Sequence, residues 1–212
     1  MATSFDMFGT LVSVERPADP AAAVARELRE RDVAVPDDWE AAYREVHVDA
    51  PDGAEIPLPA HVSAALASRG ADAPANAARR AVVAAFDPEV ATLEGAVAAV
   101  RAAGERGPVG LLSNCSVPEL VGRTLVRSGL SRDDFDAIVS SVACGWRKPD
   151  ARAFETVADR LGEPVDSLVH VGDDPATDGG VRAAGGAFLD ASERPLPELA
   201  TAWRAGAEVD GC

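Results

Sequence analysis

Along the second half of the chain, short apolar runs alternate with segments of helical spacing, a pattern typical of a parallel α/β sheet. Short apolar runs predict strands over 108–112, 137–141, 167–171 and 186–189. Apolar residues at helical spacing predict the helices between them, over 95–103, 118–128, 149–161 and 178–184. A further strand begins near residue 3 and runs into a turn at Gly9. Strands separated by helices predict a parallel sheet with right-handed crossovers.

Residues 14–86 follow a different pattern, with helical spacing and no convincing strand. Asp19-Pro20 is typical of a helix start, because a capping carboxylate precedes a proline at the first helical position. Helices are predicted over 21–31, 38–48, 59–69 and 75–86, separated by proline-bearing connections. The pattern therefore predicts a core domain over 1–13 and 87–212 and a small all-helical domain over 14–86.

The excess of acidic over basic residues disfavours polyanionic binding partners. The chain has 212 residues, with 20 Lys+Arg against 35 Asp+Glu and a net charge of −15. Such a field repels phosphate backbones and anionic bilayers, so neither nucleic acid nor membrane is expected as a partner. The first residues lack the basic start and apolar run that are typical of a signal peptide. No apolar run approaches the roughly 20 residues of a membrane span. We expect a cytoplasmic protein, either a monomer or a homodimer.

Polar residues follow three of the predicted strands. Asp6 ends the first, Ser113-Asn114 the next, and Asp173-Asp174 a third. Because ligands gather at the carboxyl ends of parallel strands, these residues predict one shared site.

Four segments match, in order and spacing, the motifs of the haloacid dehalogenase (HAD) superfamily, so the chain resembles that family. They are the residues 6–11 (DMFGTL), Ser113-Asn114, Lys148-Pro149, and the residues 172–178 (GDDPATD). The resemblance covers residues 3 to about 190 and implies a doubly wound, Rossmann-like core with a mobile helical cap. The acidic, alanine-rich and lysine-poor composition also resembles proteins of salt-loving microbes.

The resemblance implies a role for each motif. Asp6 would be the nucleophile that forms a covalent intermediate. Lys148, the one lysine among 20 basic residues, would bridge that carboxylate and a substrate anion, for which a compact ammonium is suited. Thr10, Ser113 and Asn114 would bind the substrate, the last two through a hydroxyl and backbone N–H groups.

The acidic residues of the motifs predict a metal. Four carboxylates in one small space repel each other unless a cation neutralises them, and Mg²⁺ is the simplest oxygen-liganded dication. The resemblance implies that Asp6, the backbone carbonyl of Phe8 and Asp173 bind Mg²⁺, with Asp174 or Asp178 behind them.

One departure from the family pattern leaves the reaction open. The phosphatases of this family carry a second aspartate two residues after the nucleophile, which protonates the leaving group, and here that position is Phe8. Tyr43, Glu45 and His47 in the helical insert are candidate substitutes. General acid catalysis of this kind contributes about 10²–10⁴-fold.

The dehalogenases of the family resemble the first motif well, because halide leaves without a proton. They need no metal, however, and have serine and asparagine where this chain has Asp173 and Pro175. They also use a tyrosine where this chain has Phe154, and a cap arginine for which Arg44 is a loose candidate.

Three functions follow from these observations. The first is Mg²⁺-dependent hydrolysis of a small phosphorylated metabolite, and the second is 2-haloacid dehalogenation. The third is a binding or regulatory protein that keeps the fold without turnover.

Overall fold

The computed structural model describes residues 1–74 and 76–207 and contains a five-stranded parallel sheet. The strands of the chain are β1 (Ala2–Phe5), β2 (Val12–Val14), β3 (Val90–Thr92), β4 (Val109–Ser113), β5 (Ala137–Ser140), β6 (Leu168–Gly172) and β7 (Ala187–Asp190). The parallel sheet has the order β5-β4-β1-β6-β7, so β1 lies at its centre. Every residue of β1, β4 and β6 is buried, as expected for strands covered on both faces.

Helices cover both faces of this sheet. The helices are α1 (Pro20–Arg29), α2 (Trp39–Arg44), α3 (Leu58–Ala67), α4 (Ala77–Ala85), α5 (Ala96–Gly104), α6 (Leu120–Arg127), α7 (Ser141–Cys144), α8 (Ala151–Leu161) and α9 (Leu196–Arg204). One apolar cluster joins α5 and α9 to one face, and a second joins α8 to the other. Phe5 and Leu111 belong to the first cluster and Leu112 to the second, because successive side chains of a strand point to opposite faces. The predicted Rossmann-like α/β fold is confirmed.

The helices α1 to α4 pack against one another, α1 beside α2 and α4, and α3 beside α2 and α4. The indole N–H of Trp39 donates to the carbonyl of Ala21 at 2.9 Å, which ties α2 to the start of α1. The Asp19 carboxylate caps α1 by accepting from the Ala22 N–H at 2.9 Å, as its position before a proline predicted. The division into a core and a cap domain stays a prediction.

The structure differs from the predicted elements at several places. The predicted helix over 178–184 is a 3-10 helix over Asp178–Arg182. Strands β2 and β3 pair antiparallel where the chain enters and leaves the helical segment, and three residues each are too few to form a periodic pattern. Helices α7 and α9 were also not predicted. Helix α2 is shorter than the predicted 38–48, because the backbone becomes extended at Glu45.

None of the helices in the described ranges is long and apolar enough to cross a membrane. Residues 208–212 of the predicted core lie outside the described residues.

The close packing of α8 on β4 gives a stability prediction. A Cβ at Gly110 would lie 2.8 Å from Cγ2 of Val157 and 3.1 Å from Cδ1 of Leu161. Gly110→Ala should therefore lower the free energy of unfolding by about 1–3 kcal/mol, the usual cost of overpacking. Gly122→Ala on α6, where a Cβ meets nothing within 4 Å, is the matched control and should raise it by about 0.5–1 kcal/mol. Urea unfolding followed by circular dichroism measures both, and equal effects would contradict this account.

Candidate active site

The site lies at the carboxyl end of the sheet, where three neighbouring strands end together. Asp6 follows β1, and its N–H donates to the carbonyl of Val171 in β6 at 2.8 Å. Ser113 ends β4 on the other side, and Asp173 follows β6. The strand order therefore brings the polar residues of three separate motifs to one place, as their position in the sequence predicted.

Lys148 occupies the centre of this site with its side chain 1% exposed. Its ammonium donates to Oδ1 of Asp6 at 2.6 Å, to Oδ1 of Asp178 at 2.5 Å and to the carbonyl of Leu112 at 3.1 Å. All three protons of the ammonium are thus used. A buried charge is costly unless it is paired and hydrogen-bonded, and here both conditions are met.

The backbone of Lys148 is held from two sides. The Asn114 side chain accepts from the Lys148 N–H at 2.8 Å and donates to the Lys148 carbonyl at 2.9 Å. On the other side Gly180 lies so close to Pro149 that a Cβ there would be 2.5 Å from the Pro149 carbonyl oxygen. The peptide bond between Lys148 and Pro149 is cis. Asn114 thus positions Lys148, and its role in binding substrate stays a prediction.

Asp178 is supported from behind by a histidine that the sequence analysis missed. His170 in β6 is fully buried, and its Nε2 lies 3.1 Å from Oδ1 of Asp178, while Nδ1 lies 2.8 Å from the Ser4 hydroxyl. Burial lowers the pKa of His170 to about 4, so the ring is neutral at neutral pH. The ionised carboxylate of Asp178 can only accept, so Nε2 donates to it and Nδ1 accepts from Ser4. A histidine within an otherwise apolar strand was the available signal.

Burial and neighbouring charges act differently on the two carboxylates that contact Lys148. Burial raises the pKa of Asp6 to about 6, with Lys148 opposing this shift and the charge of Asp178 adding to it. Burial also acts to raise the pKa of Asp178, but the hydrogen bond from His170 and the charge of Lys148 outweigh it and hold that pKa well below its ordinary value. At neutral pH both groups are therefore mostly ionised, and Asp6 is the more basic carboxylate.

Three carboxylates in this site could hold a metal ion. Asp6, Asp173 and Asp178 each offer an oxygen, and these three oxygens lie within 4.8 Å of one another. With Lys148 included, three negative charges face one positive charge, which leaves a charge of −2. An all-oxygen donor set with this charge suits Mg²⁺ and gives nothing that favours a softer metal. The residues present therefore fit the predicted ion.

The remaining predicted residues take separate positions. The Thr10 hydroxyl donates to Oδ1 of Asp173 at 2.6 Å and so orients that carboxylate. Asp174 is exposed and lies outside the three-carboxylate group, since its carboxylate accepts from the Ala176 N–H and the Thr177 hydroxyl of its own turn, both at 3.0 Å. The Ser113 hydroxyl is buried and has no hydrogen-bond partner among the described residues.

The candidates in the helical segment do not line the cavity beside Phe8. Glu45 pairs with Arg69 at 2.5 Å, and Nε2 of His47 contacts the Ala42 carbonyl at 2.6 Å. The candidate Arg44 is exposed and pairs with Glu40, while Tyr43 packs on Trp39 and His61. The ring of Phe154 packs edge-on against His170, on the α8 face of the sheet.

Comparison with known proteins agrees with this geometry. The sequence model of the haloacid dehalogenase-like hydrolases matches residues 2–185. The chain belongs to this family. No curated protein matches it.

Solved structures of HAD proteins share the fold at low sequence identity. A 2-haloacid dehalogenase from Pseudomonas syringae pv. tomato DC3000 is 20% identical with a TM-score of 0.64, over 97% of this chain and 99% of that one. CbbY from Rhodobacter sphaeroides, solved in complex with phosphate, is 17% identical with a TM-score of 0.56, over 88% and 84%. YfnB from Bacillus subtilis, solved bound to magnesium, is 20% identical with a TM-score of 0.53, over 92% and 90%. At these identities the likeness concerns the fold and does not separate dehalogenases from phosphatases.

The buried position of Lys148 predicts a large loss of stability when its charge is removed. Lys148→Met would leave Asp6 and Asp178 as buried carboxylates without a counterion, which costs about 3–5 kcal/mol. Urea unfolding in EDTA measures this loss. Arg147→Met is the matched control, because Arg147 is exposed and surface substitutions usually change stability by about 0.5 kcal/mol or less. A loss no larger than that of the control would contradict the assigned ion pairs.

The two neighbouring aspartates predict different effects on Mg²⁺ binding. Asp173→Asn should weaken Mg²⁺ affinity by at least about tenfold. Loss of a residue that only hydrogen-bonds a metal ligand already weakens affinity by about 10–100-fold, and Asp173 is itself a predicted ligand. Asp174→Asn should leave the affinity little changed, because that carboxylate is engaged in its own turn. Isothermal titration of each protein with MgCl₂ measures the affinity directly. Equal losses in the two variants would show that the ligand set is different.

Proposed function

We propose that this HAD hydrolase is a Mg²⁺-dependent phosphatase that acts on a small phosphorylated metabolite. The observation that carries the proposal is the group of three carboxylates, Asp6, Asp173 and Asp178, around a single buried ammonium. Its net charge of −2 favours a bound dication, which the metal-independent dehalogenase reaction does not need. The identity of the family supports hydrolysis in general, and the phosphatase reaction is our inference from this charge balance.

In this reaction Asp6 attacks the phosphorus atom and becomes transiently phosphorylated. Lys148, already hydrogen-bonded to Asp6, stabilises the negative charge that is shared between nucleophile and phosphoryl group. When bound, Mg²⁺ would neutralise the carboxylates that hold it and polarise a phosphoryl oxygen. Ser113, whose buried hydroxyl has no partner in the described part of the chain, is suited to donate to another phosphoryl oxygen.

The size of the adjacent cavity supports a small substrate. A cavity of about 250 Å³ begins at Phe8 and Asn114, beside the site. An anionic metabolite in a protein of net charge −15 would be drawn in by Lys148 together with the metal. We include in this proposal the cytoplasmic location, the salt-rich source and the monomeric or homodimeric state that the composition suggested.

The 2-haloacid dehalogenase reaction is the second candidate, favoured by Phe8. Halide is a weak base that leaves without a proton, so an aromatic residue at this position costs that reaction nothing. Asp173 argues against the dehalogenase reaction, because this carboxylate would add uncompensated negative charge to the site if no metal were bound.

One set of assays distinguishes these functions. Purified protein in high salt is given p-nitrophenyl phosphate with Mg²⁺ or with EDTA, and separately 2-chloropropionate. We expect phosphate release that requires Mg²⁺ and is lost in Asp6→Asn, which keeps the shape of the nucleophile but not its charge. Metal-independent chloride release would instead establish the dehalogenase. Absence of both reactions, with retained Mg²⁺ binding, would favour a binding or regulatory protein.

A further inference from the structure

The proposed phosphatase lacks an acid at the position that supplies one in related phosphatases. Phe8, two residues after Asp6, can neither donate nor accept a proton. An alkoxide leaving group needs a proton, and the water that later attacks phosphorylated Asp6 must lose one. Some other side chain beside Phe8 has to serve both steps, and the inference that follows rests on the proposed function.

The cavity that begins at Phe8 narrows the choice to two residues. Its ionisable lining residues in the described chain are Glu15, Arg16, Glu55, Cys115 and Arg147. Arginine does not release its proton in proteins. Burial raises the pKa of the Cys115 thiol to about 11, and the thiol donates to the carbonyl of Val117 at 3.3 Å. The carboxyl groups of Glu15 and Glu55 are the remaining candidates for proton transfer in this lining.

Glu55 is fixed in place, whereas Glu15 is exposed. Oε2 of Glu55 accepts from the Ser141 hydroxyl at 2.6 Å, and the Glu55 N–H donates to the carbonyl of Gly145 at 2.8 Å. The preceding residue, Ala54, forms an antiparallel bridge with Trp146. The carboxylate of Glu55 is therefore positioned before substrate binds, which is what proton transfer in a transition state requires.

Hydrogen bonds connect Glu55 to the loops that carry the nucleophile's partners. The Ser141 hydroxyl that donates to Glu55 accepts from the N–H of Cys115 at 2.8 Å. The neighbouring Asn114 holds the backbone of Lys148, and Lys148 in turn contacts Asp6. Oε1 of Glu55 has no hydrogen-bond partner in the described ranges, so it is available to a group in the cavity.

We propose that Glu55 is the general acid and general base of this enzyme. In the first step Asp6 attacks phosphorus, the bond from phosphorus to the leaving oxygen breaks, and that oxygen takes the proton of Glu55. In the second step water attacks phosphorus and gives a proton to Glu55, and the bond from phosphorus to Asp6 breaks with its electron pair returning to the carboxylate. One ester and one water give one alcohol and one phosphate, and Glu55 regains its proton.

The test uses the different proton demand of two leaving groups. With Mg²⁺ present, Glu55→Gln should lower kcat/KM for glycerol 2-phosphate by about 10²–10⁴-fold. Its kcat/KM for p-nitrophenyl phosphate should change little, because p-nitrophenolate leaves without a proton. The kcat for p-nitrophenyl phosphate should fall and a burst of one p-nitrophenolate per enzyme should appear, since phosphorylated Asp6 then accumulates. Glu155→Gln, at an exposed position of α8 outside this cavity, is the matched control and should behave as the wild type with both substrates.

Several outcomes would overturn the proposal. Equal loss of kcat/KM for both substrates would show a structural effect of the substitution, and no loss for either would exclude Glu55 from catalysis. Glu55→Ala is a second, independent variant. Added formate, a small carboxylic acid that can take the place of the missing carboxyl group, should restore part of its glycerol 2-phosphate hydrolysis. If the wild-type protein releases phosphate from neither substrate, the proposed function itself is wrong. If the wild type is active on both, any difference in the variants tests the role of Glu55 alone.

Discussion

The rest of the site depends on one buried ammonium placed between two carboxylates. Lys148 contacts Asp6 and Asp178 where none of the three side chains is more than 10% exposed, so water screens and solvates their charges little. Taking such groups out of water costs several kcal/mol each, and only close pairing compensates. The surrounding structure therefore has to hold the ammonium within hydrogen-bond distance of both carboxylates.

That requirement explains the residues around Lys148 that carry no chemistry of their own. Asn114 holds its backbone through both ends of one amide, and the missing side chain of Gly180 lets the following turn approach Pro149. His170 and Ser4 orient Asp178 from within the sheet. Segments far apart in the sequence thus converge on one charge, which couples the stability of the fold to the geometry of the nucleophile.

The chain's large negative charge has two different parts. Many acidic residues are on the surface, and several pair with arginines there, as Asp38 and Glu45 do with Arg69. Asp6, Asp173 and Asp178 differ, because the sheet brings them together and two of them, Asp6 and Asp178, are buried, so solvent relieves their repulsion little. A cation resolves the second kind of charge, and a salty surrounding screens only the first.

The sequence by itself determined the fold class and the group of residues at the strand ends. Apolar runs and helical spacing depend on local periodicity, so the strands β1, β4, β5, β6 and β7 were predicted, and the motifs placed Asp6, Lys148 and Asp173 in one site. The three-residue strands β2 and β3 were not predicted, because their pairing comes from contacts between segments that are distant in the sequence. Only the tertiary structure decided that Asp178 rather than Asp174 joins Asp6 and Asp173, since Asp178 is buried against Lys148 whereas Asp174, four residues earlier, is exposed. Only it showed His170 bonded to Asp178, and Glu55 bonded to Ser141 and lining the cavity beside Phe8, because hydrogen bonds across 8 and 86 residues leave no periodic trace in the sequence.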